Sequence, residues 1–267
     1  NLNMVIWMKI KPILKTLWIS LLSTFILVLS QTLTLRGFED INTINLLFLE
    51  IPIEYFVINF LIYVMLTILF ILMNDLIPFP KLAKGVVYSV MISVVWIALR
   101  FQPKALTNFS RYVFDSIVFV IPILIYGIFL GYLATEQTKE FKFEKKHLGF
   151  LLISAIWIMF HAFNLILSQP VKEHWFYYIL WVILTSLALG LVFGLIYEFS
   201  LTSERNSLYV TSAAVIVIFI SYYAYQFAIN RTADIQLFIR VLLDITSIIL
   251  AIQFFEIFSN RFIKEVK

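Results

Sequence analysis

Residues 175–198 read WFYYILWVILTSLALGLVFGLIYE, and no charged side chain appears until Glu198 closes the run. A helix rises about 1.5 Å per residue, so a run of this length crosses the roughly 30 Å hydrocarbon layer of a bilayer. It is not isolated. The chain is 267 residues long, 62% hydrophobic and only 13% charged, against roughly 45–50% and 25% in soluble globular proteins. Mean hydropathy is +0.96. These values predict an all-α, polytopic integral membrane protein whose first partner is the lipid bilayer.

Working outward from 175–198, apolar runs between charged or turn-rich breaks predict eight transmembrane helices. Their approximate limits are 12–33, 52–73, 83–101, 113–135, 148–168, 175–198, 207–229 and 236–258. The breaks include Arg36-Gly-Phe-Glu-Asp40, Asn74-Asp-Leu-Ile-Pro-Phe-Pro80, Pro103-Lys104, Ser168-Gln-Pro170, Ser203-Glu-Arg-Asn206 and Asn230-Arg231. All loops are short, so residues 1–267 are expected to form a single helical domain. The first run is too long for a cleaved secretory segment, and no small-x-small site follows it. It reads as a retained span.

Lysines and arginines set the expected orientation. With the N-terminus inside, the cytoplasmic segments hold Lys9, Lys11, Lys15, Lys81, Lys84, Lys139, Lys142, Lys145, Lys146, Arg205, Arg261, Lys264 and Lys267. The opposite side holds Arg36, Arg100, Lys104, Arg111, Lys172 and Arg231, while Arg240 lies within the eighth run. Both termini are therefore expected in the cytoplasm, although the loop carrying Arg100, Lys104 and Arg111 runs against the trend.

Several chemistries are excluded or disfavoured. The chain has no cysteine, which removes disulfides, thiolate nucleophiles and thiolate metal sites. Its aromatics lie within apolar runs and its cations at their ends, the pattern of interfacial anchoring rather than of a nucleic-acid face. Only His147, His161 and His174 are available as imidazole ligands. The first and last fall in loops expected on opposite sides of the bilayer, so no metal site is predicted. No G-x-S-x-G elbow and no glycine-rich nucleotide loop occurs, and no cofactor is predicted.

Ionisable groups at membrane depth are costly, roughly 2.5–3.5 kcal/mol each on insertion scales, and so are candidates for function. His161 stands near the middle of the fifth run, with Asn164 three residues on. Arg240 and Asp244 are one helical turn apart on the eighth, where mutual neutralisation is the simplest reading. Asp115, Glu54, Glu198 and Glu256 lie near run ends, within snorkelling reach of water. Gly127 and Gly131, echoed by Gly190 and Gly194, place small residues four apart on one helix face. Neighbouring backbones can approach closely there.

The segment Leu151-Leu-Ile-Ser-Ala-Ile-Trp-Ile-Met-Phe-His161 resembles the second motif of the CPBP intramembrane proteases, the family of CAAX-processing and bacteriocin-processing (Abi) proteins. Trp157 and His161 stand at its aromatic and histidine positions. Residues 187–198, LALGLVFGLIYE, resemble a further helix of that family, Ser207-Leu-Tyr209 resembles its following "SLW", and residues 118–131 resemble the helix of the first motif. The resemblance covers about residues 113–220 and implies an eight-helix bundle. Where the family carries Glu-Glu-x-x-x-Arg, this chain aligns Ile125, Tyr126 and Leu130. Where the family carries its third-motif histidine and asparagine, it aligns Val215 and Phe219.

General-base hydrolysis needs a proton acceptor beside the water and a group that stabilises the oxyanion. The aligned residues supply neither. The leading expectation is a non-catalytic, CPBP-like protein of a bacterial plasma membrane that binds or scaffolds another membrane or membrane-anchored protein. One alternative is an active, metal-independent protease or bacteriocin self-immunity protein using His161 with Asn164, Asp115 or Glu198. Another is a small transporter or channel subunit with Arg240, Asp244 and Asp115 along a polar path.

Overall fold

The computed structural model describes residues 2–36, 53–100, 109–134, 153–159, 175–201, 206–230 and 235–265. Among the described residues every regular element is helical. In chain order these are α1 (Leu2–Arg36), α2 (Ile53–Met73), α3 (Lys81–Arg100), α4 (Phe109–Gly131), α5 (153–159), α6 (Trp175–Leu201), α7 (Ser207–Asn230) and α8 (Ile235–Glu265). Within α1, α2, α3, α6, α7 and α8, six stretches are long and apolar enough to cross a membrane, and Ser116–Gly131 in α4 is a shorter apolar one.

Local chemistry sets the helix limits. After α2, the amides of Leu76 and Ile77 turn back onto the Met73 carbonyl at 2.9 and 3.3 Å, and Pro78 and Pro80 prevent the helix from continuing. The Pro80 carbonyl then accepts from Lys84 N at 2.9 Å to begin α3. Leu76 and Ile77 are each 1% exposed, so this loop is tucked against the bundle. Asn206 caps α7: its Oδ1 accepts from the amides of Leu208 and Tyr209 at 3.0 and 3.3 Å, satisfying donors that a helix start leaves open.

Six helices close into a ring in the order α1, α2, α7, α6, α3, α4 and back to α1; α8 packs outside against α7. Contacts along the ring show neighbours running antiparallel. Ser30 of α1 meets Val118 of α4, whereas Ser20 of α1 meets Thr67 of α2, which in turn meets Tyr126 of α4. Tyr223 reaches Asp244 near one end of α7 and α8. Tyr197 and Phe255 meet edge-on, 5.3 Å apart, where α6 and α8 approach. The interior of the ring is filled: Leu66, Phe70, Ile92, Val95, Tyr126, Val215 and Phe219 are all at most 1% exposed.

α3 and α4 cross closely. A Cβ on Gly85 would lie 2.1 Å from the Gly127 carbonyl oxygen, and one on Gly127 would lie 2.7 Å from that of Gly85. Only glycine lets two backbones approach so far. Gly131 meets Leu82 at the same crossing. Gly190 and Gly194 are buried in α6.

Candidate functional site: polar nodes inside the helical ring

Where hydrocarbon surrounds a protein, each buried polar group needs an internal partner. Among the described residues, most of the side chains that meet this need gather in four places. The first is mid-ring. Thr67 Oγ1 and the Tyr126 hydroxyl are 2.8 Å apart, Ser20 Oγ is 3.3 Å from Thr67 Oγ1, and Thr67 donates to the Tyr63 carbonyl at 2.7 Å. The Tyr63 and Tyr126 rings meet edge-on at 4.8 Å. Tyr88 donates to the Leu66 carbonyl at 2.6 Å. This node ties α1, α2, α3 and α4 together.

The second node lies toward the other end of α1. Gln31 Nε2 donates to the Tyr225 hydroxyl of α7, and the Tyr55 hydroxyl of α2 donates to Gln31 Oε1. One amide thus joins three helices with both of its ends. Beside it Trp96 stacks on Phe119 at 4.9 Å and lies 5.5 Å from Tyr225. Pro122 explains a further bond here. It has no N–H to donate to Val118, four residues back, and Ser30 of α1 donates to that carbonyl instead, at 3.1 Å. In the same way Trp181 Nε1 and Thr185 Oγ1 of α6 donate to the Ala98 carbonyl in the last turn of α3, at 2.9 and 3.0 Å.

The third node holds the charged pair of α8. Asp244 is 1% exposed, and its Oδ2 accepts the Tyr223 hydroxyl at 2.5 Å. Arg240, one turn away, places its guanidinium 5.4 Å from the centre of the Trp181 ring, a cation–π geometry. Each member of the pair therefore has a contact beyond its helical neighbour, which mutual neutralisation alone did not anticipate.

The fourth node is at the end of the ring formed by the α2–α3 loop. Lys84 is fully buried, and its Nζ donates to the Asn74 carbonyl at 2.9 Å. Positive charge at the end of α2 matches the negative end of that helix's dipole. Phe79 of the loop meets Phe199 of α6 at 6.4 Å, and Glu198 beside it is 9% exposed. Glu198 thus lies against protein rather than reaching out, unlike Glu54, which is exposed. Glu256 is half-buried.

His161 and Asn164 lie outside the described residues, as does the side chain of Asp115. Trp157 is fully buried and meets Trp181 edge-on at 5.8 Å, and Ser154 donates to the Ser186 carbonyl at 2.9 Å, so α5 packs on α6. Tyr126, Leu130, Val215 and Phe219 are each fully buried, and Phe219 stacks on Phe193 at 6.1 Å. Among the described residues no group of three or more metal-binding side chains comes together. Sequence reasoning missed Gln31, Thr67 and the buried state of Lys84, which it had counted with the loop cations. A glutamine in the apolar run FILVLSQTL, and a lysine directly before Gly85 in the third run, were the available signals.

No family model matches the chain, no curated protein is detectably similar to it, and no solved structure matches it. The helices and their buried polar nodes define the class: a multi-pass helical membrane protein.

Proposed function

We propose that this chain is a non-catalytic, CPBP-like protein of a bacterial plasma membrane. It has eight spans and cytoplasmic termini, and it binds or scaffolds another membrane or membrane-anchored protein. One observation carries the reading. Where the resembled family holds its Glu-Glu-x-x-x-Arg motif and its third-motif polar pair, this chain has Ile125, which is half-buried, and Tyr126, Leu130, Val215 and Phe219, which are closed into packed core. No water could be activated among such side chains without an acceptor and an oxyanion donor.

The test is purification of the full chain in mild detergent, followed by cross-linking and a peptide-cleavage assay. A stoichiometric membrane partner with no cleavage above background is the expected result. A solitary protein that cleaves peptides, with cleavage lost in His161→Ala at normal expression, would overturn the reading.

A transport reading is favoured by one observation, the buried Asp244–Tyr223 contact beside Arg240. Intramembrane carboxylates with partners of this kind mark ion and proton paths in other proteins. Flux in proteoliposomes that survives both Asp244→Asn and Arg240→Gln would exclude it.

A further inference from the structure

A groove of ≈ 200 Å³ runs between one face of α1 and the end of α4. Lys15, Trp18 and Leu22 line it on α1, at the three- and four-residue spacing that puts side chains above one another. Phe129, Tyr132 and Leu133 form the opposite wall. Because α1 and α4 run antiparallel, with Ser30 at Val118 far from the groove, Tyr132 and Leu133 stand at the Lys15 end.

The order of chemistry along the groove is specific. Lys15 is exposed at the mouth. Trp18 and Tyr132, each 72% exposed, carry the polar-tipped rings that sit at a membrane interface. Below them are the hydrocarbon side chains of Leu22 and Phe129, with Leu133 beside Tyr132 at the mouth. A phospholipid presents phosphate, glycerol esters and acyl chain in that same sequence. The charge at this end adds to the match: Lys9 and Lys11 precede Lys15 in the chain, and Lys81 leads into Leu82, which meets Gly131 beside Tyr132. A free anion would leave the apolar walls unused, and a zwitterionic lipid would gain less from the lysine.

We propose that this groove binds one anionic phospholipid of the leaflet on the Lys15 side, the phosphate at the Lys15 ammonium and one acyl chain between Leu22 and Phe129. Native mass spectrometry of the full chain, extracted from vesicles of equal phosphatidylglycerol and phosphatidylcholine, tests it. The expected result is one phosphatidylglycerol retained per chain. A lysine near an anionic surface shifts lipid preference about fivefold, so Lys15→Glu reduces the phosphatidylglycerol preference by at least that factor and Lys15→Arg keeps it. Leu22→Trp fills the floor of the groove and lowers retention of both lipids. Equal retention of the two lipids by the unaltered chain overturns the proposal, and so does retention unchanged in Lys15→Glu and Leu22→Trp. Displacement of the lipid by inorganic phosphate would mark a simple anion site and would overturn it as well.

Discussion

The Tyr223 hydroxyl donates to Oδ2 of Asp244 across the α7–α8 contact, at 2.5 Å and with the carboxylate 1% exposed. α8 packs outside the ring of six, chiefly on α7, so this bond is a polar anchor between the two helices. Its partner Arg240 lies over Trp181 of α6. The pair thereby fixes both the rotation of α8 and its height against two helices.

If so, Tyr223→Phe lowers stability by about 1 kcal/mol, in the range measured for hydrogen bonds between membrane helices. Asp244→Ala costs more, because it also strips Arg240 of the carboxylate one turn away. The double variant is less damaging than the two losses added, since both remove one interaction. Thermal unfolding in detergent of the four proteins measures this coupling. Strictly additive losses would show that the bond does not hold α8.

The α3–α4 crossing makes a ranked prediction. Gly85→Ala drives a methyl group into the Gly127 carbonyl, a backbone atom that can move only with its helix. Gly127→Ala meets Ser89 Oγ at 2.2 Å, which can rotate away, and then Ser89 Cβ and the Gly85 carbonyl, each at 2.7 Å. Gly131→Ala meets Leu82 at 3.0 Å, a contact that small shifts relieve. Overpacking of this kind costs roughly 1–3 kcal/mol, so melting temperatures should fall in the order Gly85, Gly127, Gly131. Equal tolerance at all three positions would show that the helices do not cross so closely.

Gln31 gives a prediction about local opening. Gln31→Leu removes the amide that the Tyr55 and Tyr225 hydroxyls share, and each lost hydrogen bond costs about 0.5–1.5 kcal/mol. Amide hydrogen exchange in α1 should speed up by roughly tenfold or more, because the anchor between α1, α2 and α7 is gone. Ser30→Ala removes the bond to the Val118 carbonyl and should loosen α4 near Pro122 instead. Exchange in α1 that matches the unaltered protein would rule out Gln31 as the joint.

The helices were legible because their signals are local. An uncharged run such as 175–197 has one low-energy arrangement in hydrocarbon, a helix that satisfies its own backbone. The punctuation Asn74–Pro80 and Asn206-Ser207 marks ends through proline stops and an asparagine cap. Gly127 and Gly131 could be read as a small-residue face, but nothing in the sequence pointed to Gly85, 42 positions before Gly127, as the backbone opposite. Lys84 was illegible for a related reason: it sits one turn inside α3, and only the fold of the α2–α3 loop places the Asn74 carbonyl beside it.

The sequence by itself determined that this chain is helical and built for a bilayer, because apolar run length and terminal charge act one segment at a time. The tertiary structure decided the ring order, the Gly85–Gly127 crossing and the partners of Gln31, Asp244 and Lys84. Those depend on which helix faces which, and a run of leucine, isoleucine and phenylalanine offers many faces of nearly equal hydrophobicity. Close backbone packing and the need to satisfy each buried polar group choose among them, and both act only once distant segments are side by side.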